Sequence, residues 1–494
     1  MAGEAPPKNF ARDFFSKMVG FSIATWVSFG LSFLSGPIST WLFQAEEVGK
    51  INLFSNTYLT MFLSLAYLGL DQSYIRFYNE PPGKNTRKGV FTICISAACA
   101  FALVLSVGIG FASDQVSSAI SGAPNVIITA CLIVGLFANL LFRFLNVSAR
   151  MEKKVVLYSV QTTLQAVVGK LLYIGVAIWS PTHQSAIIVM TLGYFVVTMV
   201  FLMVQFRDNF TRQVDCSRQV MGTLFRFGLP LVPVSLLSWL NNSLASLLLK
   251  AFVSYSAIGI YTNAVGVASV INVLQSGFNT YWTPFVYENY QNNGQKLRRM
   301  HELITFAMVA FGLLLVLAQD IIYLLIGGDF RASKEFFPFL LLSPICYTIA
   351  ETTGLGINLS KKSYLNVVTF VANTAVNLLL CLWLLPYLGV VGAAIAAAVS
   401  AVVMLVVKTI LGERYYKCIT SYGKTFSAVL LIALAAVCNW LFFSIVWLKY
   451  ICFVVLLALL VWIFRNEAAY LFRFAVSLLR DIFRRFRHKS ASYR

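Results

Sequence analysis

The chain has 494 residues, of which 59% are hydrophobic and only 12% charged. That balance excludes a soluble globular domain and reads as a polytopic membrane protein. The formal charge of +19 does not point to nucleic acid, because the cations sit in the segments between apolar runs.

The N-terminal MAGEAPPKNFARDFFSK is polar and basic, and the first apolar run after it is full-length, so no cleavable leader is expected. A hydrocarbon core of about 30 Å takes about 20 helical residues. On that ruler, fourteen spans fall near 17–42, 51–71, 89–112, 124–147, 155–179, 184–205, 223–249, 258–285, 301–326, 336–358, 365–385, 389–411, 425–447 and 450–466. The loop charges check this count independently. With the N-terminus in the cytoplasm, the cytoplasmic segments hold 31 of the 38 Lys and Arg residues and the external ones hold 5. The other two, Arg143 and Lys170, lie inside spans. A miscounted span would scramble the alternation from that point onward, so both termini are expected in the cytoplasm.

Several spans carry polar residues on one helical face. Span 2 has Asn56, Thr60, Ser64, Tyr67 and Asp71, and span 4 has Gly135, Asn139, Arg143, Asn146 and Arg150. On span 5, Ser159, Thr163, Ala166 and Lys170 share a face, with Gln161 and Gln165 roughly opposite. Span 7 adds Ser235, Ser238, Asn242 and Ser246, span 8 adds Asn272, Gln275 and Asn279, and span 11 adds Asn366, Asn373 and Asn377. Lipid cannot satisfy such stripes, so they face protein or water. Any single stripe is compatible with interhelical hydrogen bonding. Together they favour a hydrated central cavity. Pro230 and Pro233 in GLPLVP open span 7, Pro284 lies late in span 8 and Pro344 interrupts span 10. Interior prolines bend helices and free carbonyls, and Gly228, Pro230 and Pro233 are the candidate hinge.

The ionisable residues inside spans are the sharpest functional signal. A cation at the centre of a membrane helix costs roughly 3 kcal/mol on insertion scales, so it needs a partner, water or a ligand. Lys170 lies roughly 15 Å from the outer edge at the helical rise, beyond snorkelling reach. It is either a cavity cation that meets an anionic ligand or half of a pair with a buried carboxylate. Arg143 lies closer to the cytoplasmic side and either snorkels or joins Lys170. Glu351 in span 10 pairs with Lys170 or accepts a coupling proton or sodium ion. Asp320 reads as interfacial, and Asp71 and Arg76 as structural. The nine cysteines show no CxxC and mostly fall inside spans, and the three histidines are too scattered for a metal centre, so no metal or cofactor is expected. From Leu471 onward, Leu471, Ala475, Leu478, Ile482 and Phe486 oppose Arg473, Arg480, Arg484 and Arg487, the pattern of a basic amphipathic helix on an anionic leaflet.

The chain also resembles itself weakly at an offset of 210, where EEVGKINLFSN (46–56) faces SAIGIYTNAVG (256–266). Spans 1–6 and 7–12 both begin in the cytoplasm, so a repeat would be parallel. The expected division is an N-terminal lobe at 1–214 and a C-terminal lobe at 215–412. Two further spans follow at 413–466, then a cytoplasmic tail at 467–494.

The segment NLLLCLWLLPYLGVVGAAIAAAVS (377–400), with Asn377, Pro386, Gly389, Gly392, Ala393 and Ala394, resembles a signature of bacterial polysaccharide flippases. These belong to the MATE-like multidrug/oligosaccharidyl-lipid/polysaccharide superfamily. EEVGKINLF (46–54), LGLDQSYIRFY (68–78), FGLPLVP (227–233), IGIYTNA (258–264) and YWTPFVYE (281–288) agree, in order, over about residues 14 to 412. The resemblance implies an all-α membrane protein with two six-helix lobes around a central cavity, plus two extra helices. It implies a non-enzymatic flippase of the bacterial cytoplasmic membrane. This would translocate a polyprenyl-pyrophosphate-linked oligosaccharide by alternating access, for O-antigen, capsule or exopolysaccharide assembly. Lys170 and Arg143 are the matching cavity cations, with Asn139, Asn242, Asn272 and Gln275 lining the same space. A lipid-linked oligosaccharide and membrane lipids are the expected partners, a polysaccharide polymerase and assembly proteins are candidates, and the monomer is the expected functional unit. Relatives often carry an acid where this chain has Asn241-Asn242-Ser243. The rival readings are a multidrug cation antiporter of the same superfamily and a membrane glycosyltransferase or polymerase. The external loops are short for the latter.

Overall fold

The computed structural model describes residues 30–31, 33–291, 294–360, 362 and 364–473, and every regular element among them is helical. Among the described residues ten helices are long and apolar enough to cross a membrane, or twelve when two strongly bent pairs, Ala45–Ala66 with Leu70–Phe77 and Gly328–Glu335 with Phe337–Thr353, each count as one. One of the ten, Tyr364–Glu413, runs for 50 residues through a non-helical Gly389 at φ 54°. A Cβ on Gly392 would stand 2.8 Å from the Leu384 carbonyl oxygen. Eight helical residues would separate these positions by about 12 Å along a straight axis. The chain therefore turns back at Pro386–Gly389, and the helix holds both the eleventh and the twelfth expected spans. Only residues 30–31 and 33–42 of the first expected span are described, and the basic amphipathic helix lies outside the described residues after Arg473.

Local chemistry starts these helices. Thr86, Asn125, Thr182, Ser217, Ser254 and Ser421 each cap an apolar run, accepting from a backbone N–H in the first turn. Such caps satisfy donors that lipid could not.

The described chain forms two compact units. The first comprises 1–270, 325–333 and 378–393. Its core is the packing of spans 3, 4 and 6 (Arg87–Phe111, Val126–Met151, His183–Asn209) around buried Leu132, Leu136, Leu140, Phe91 and Phe144. Span 2 does not continue straight. Leu68 and Gly69 adopt φ of 48° and 67°, and the helix bends by 52° there. Gly69 is required twice over. Its φ is left-handed, and a side chain would collide with the Gly228 carbonyl of span 7. Ser73 Oγ adds a 2.8 Å hydrogen bond to Leu224 O.

The repeat segments meet face to face within this unit. A Cβ on Gly49 would collide with Tyr255 O, and one on Gly259 would collide with Ala45 O. Each glycine Cβ would also stand 3.2 Å from the other's backbone nitrogen. Asn52 Nδ2 donates to Thr262 Oγ1 at 3.1 Å. Gly49 with Gly259 and Asn52 with Thr262 pair position n with n + 210, and the Gly49–Tyr255 and Ala45–Gly259 contacts are interchanged by the same offset, so the sequence offset is the signature of a local two-fold axis. Only glycine allows two helix backbones to approach this closely.

The second unit comprises 271–324, 334–377 and 394–494. Spans 13 and 14 (Tyr422–Leu441, Val446–Ile463) are built into it by polar contacts, buried for span 13 and partly buried for span 14. His301 bonds Thr352 at 2.7 Å and Thr425 at 2.9 Å, tying spans 9, 10 and 13 together. Asn439 accepts from Gln319 at 2.8 Å and donates to the carbonyls of Lys334 and Glu335. Asp320 accepts from Lys334 Nζ and from Tyr450 OH, both at 2.6 Å.

Candidate functional site

Span 5 is an α-helix over Val155–Val167, widens to a π-helix over Val168–Leu172, and resumes as α over Tyr173–Val176. The π segment is shaped to span 6. A Cβ on Gly193 would press to 2.6 Å from Leu172 Cδ2 and 2.8 Å from Val168 Cγ1. Gly169 in turn clears space for the Tyr194 hydroxyl, which a Cβ there would strike. Lys170 sits inside this turn. It is half-buried, and its Nζ makes no hydrogen bond or ion pair with any described residue. A π turn interrupts the regular ladder, a geometry frequent at functional positions.

Arg143 is held differently. Its Nε and Nη2 both donate to Asp71 Oδ2, at 3.2 and 3.0 Å, and Gln72 Nε2 donates to the same oxygen at 2.8 Å. The Asp71 side chain is 8% exposed, whereas that of Arg143 is 40% exposed. The guanidinium is therefore anchored by one edge, and the other edge is open. The remaining stripe residues of span 4 act as interhelical joints. Asn139 donates to Gly135 O and accepts from Gln165 at 2.8 Å, and Asn146 donates to Thr162 Oγ1 at 3.3 Å. The Gln161–Gln165 face of span 5 is thus seated on span 4.

On span 7, Asn242 is exposed and has no hydrogen-bond partner among the described residues. One turn earlier, Trp239 Nε1 donates at 2.8 Å to Thr57 O, within the π segment Leu53–Leu59 of span 2. The hinge candidates occupy a break between Arg218–Gly228 and Val232–Phe252, bridged by a 3₁₀ turn over Leu229–Leu231. Pro233 cannot donate to the Leu229 carbonyl, which accepts instead from Val232 N–H.

In the second unit, Asn272 and Gln275 are half-buried and have no hydrogen-bond partner among the described residues. Glu351, read from sequence as a partner for Lys170 or a coupling acid, takes Lys408 Nζ at 2.6 Å. Lys408 lies over the Tyr347 ring, 5.7 Å from its centroid. The loop-charge pattern places Lys408 in a cytoplasmic segment, but it lies inside the helix Tyr364–Glu413 with its side chain 9% exposed. The missed signal is glycine. A Cβ on Gly354 would stand 2.5 Å from Lys408 Cε, and Gly356 and Gly412 remove side chains where their backbones meet.

The sequence model of a family described as polysaccharide biosynthesis protein matches residues 16–290, more than half of the chain. The chain belongs to this family. No curated protein matches it. Among solved structures, the chain is similar to the lipid II flippase MurJ in an inward closed conformation, with a TM-score of 0.63 at 12% identity over 92% of this chain and 99% of that one. It is also similar to a multidrug resistance MATE family transporter of the MOP superfamily in its inward-facing conformation, with a TM-score of 0.56 at 18% identity over 81% of this chain and 97% of that one. The outward-facing form of such a transporter gives a TM-score of 0.54 at 19% identity over 81% and 94%. This member of the polysaccharide biosynthesis family therefore has the fold of MOP-superfamily transporters, and it is an integral multi-pass membrane protein.

Proposed function

We propose that this chain is a flippase that carries a polyprenyl-pyrophosphate-linked oligosaccharide across the bacterial cytoplasmic membrane by alternating access. The observation that carries the reading is Lys170, a half-buried cation in a membrane span with no partner among the described residues. A phosphate group is the natural occupant of such a site, because a low-dielectric wall strengthens the attraction between cation and anion. In this scheme the pyrophosphate and sugars meet Lys170, Arg143 and Asn242, while the polyprenyl tail stays in lipid. Gly228, Pro230 and Pro233 serve as the hinge, and a few scattered cations bind loosely enough for release.

The drug-cation antiporter is the weaker reading because of the two deep acids. Asp71 and Glu351 are ion-paired with Arg143 and Lys408, so neither is a bare carboxylate awaiting a cation. Glycan export in cells lacking their own flippase tests the proposal. With equal membrane levels, Lys170→Arg should stay largely active, Lys170→Gln should be weak and Lys170→Glu inactive. Parental export by Lys170→Gln would make the cation structural or idle and remove this mechanism.

A further inference from the structure

The three donors on Asp71 Oδ2 assign this carboxylate a second task beside packing. Both Arg143 nitrogens that touch it lie along one edge of the guanidinium, Nε and Nη2. The end-on edge, Nη1 with Nη2, makes no hydrogen bond or ion pair with any other described residue, and the side chain is partly exposed. That edge is the planar fork that matches two oxygens of a phosphate. A free arginine on a membrane helix would sample many rotamers and turn its head toward the interface. Asp71 prevents this by holding the side-on edge from a buried position on the neighbouring helix.

The location of Asp71 is built by the backbone. The Leu68–Gly69 turn breaks span 2 and starts the helix Leu70–Phe77, in whose first turn Asp71 lies. Gly69 packs on Gly228, so the bend that aims Asp71 at Arg143 is clamped by the first residue of the candidate hinge. Gln72 holds the same oxygen from the adjacent position.

We propose that Asp71 is a positioning residue for pyrophosphate recognition, which orients the Arg143 fork and tempers its charge. The inference rests on the reading of Arg143 as a phosphate contact. An Asp–Arg pair is neutral overall, so the open fork offers hydrogen-bond geometry with only part of a cation's pull. Loose binding of this kind favours release after each crossing. Removing the carboxylate charge leaves a full cation, which should hold pyrophosphate too tightly and in a less defined pose.

The test is binding of farnesyl pyrophosphate to the purified full chain, with farnesol as the uncharged control, alongside glycan export in cells. Arg143→Gln should weaken farnesyl pyrophosphate binding and leave farnesol unchanged. Asp71→Asn should instead tighten farnesyl pyrophosphate binding by about tenfold, the order expected for one uncovered charge at contact distance in a hydrated site. Its export should fall although binding improves, and Asp71→Glu should restore both toward the parent. A merely structural Asp71 would give no gain in affinity. Asp71→Ser carries the same expectation if the Asn variant does not fold. Unchanged or weaker binding in the uncharged variants, with Arg143→Gln impaired, overturns the inference alone. Parental binding by Arg143→Gln overturns the phosphate role of Arg143, and the inference with it.

Discussion

Removing one half of a buried ion pair strands the other half, typically at a cost of about 3–5 kcal/mol. Lys408 and Glu351 provide such a case, with a 2.6 Å contact and one partner almost fully enclosed. Lys408→Met should therefore lower thermal stability in detergent strongly, and adding Glu351→Leu should recover much of it. If the double variant melts below the single one, the pair is not the source of the loss. This pair also marks the limit of the sequence at residue scale. Lys170 stood out because its distance along the helix from either interface excludes snorkelling. The partner of Glu351 did not, because it lies 57 positions away and its approach depends on Gly354, which leaves no mark in a hydropathy or charge pattern. Arg143 was legible as a deep cation, but its anchorage to Asp71 was not, because the backbone turn at Gly69 sets that geometry.

The elements themselves were largely legible. Apolar run length and the loop charges placed the spans, and Pro230 with Pro233 marked the break in span 7. The π segments in spans 2 and 5 were not, since one extra residue in a turn is invisible to a periodicity of 3.6. The offset of 210 was weak in sequence, yet Gly49 and Gly259 make it a contact between backbones. Gly49→Ala should therefore impair export, because even a methyl group forces the two helices apart. Gly266→Ala on the same helix as Gly259 meets nothing within 4 Å and should leave export unchanged, with a slight gain in helix stability. Equal export by both variants would show that the close crossing is dispensable. The segment before span 7 adds a pH prediction. Asp215 is held below the usual carboxylate range, chiefly by the Ser217 N–H and next by the Lys84 N–H, and Asn85 bonds its backbone. A depressed folded pKa gives stability that is present above the unfolded value and lost as pH falls through the folded one. Protease cleavage in 210–217 should therefore stay slow at neutral pH and accelerate only in acid below the carboxylate range. In Asp215→Ala it should already be fast at neutral pH, and a parent that is cut equally fast there would refute the latch.

For the whole molecule, the charge asymmetry of the loops predicts that both termini lie in the cytoplasm. In a cysteine-free background, Thr182→Cys should label from outside and Ser490→Cys only after permeabilisation. Labelling of both from one side would refute this orientation. The fold class was legible because lipid admits few ways to satisfy a backbone. The substrate stays a proposal, because one cation and an open guanidinium fork suit an anion without naming what that anion is attached to. Flipping is measured directly in proteoliposomes in which a fluorescent polyprenyl-pyrophosphate oligosaccharide occupies both leaflets and a membrane-impermeant quencher is added outside. Vesicles containing the parent chain should lose nearly all fluorescence, whereas Lys170→Glu vesicles should retain the inner-leaflet share. Retention of that share by the parent, equal to protein-free vesicles, would contradict flipping by this chain.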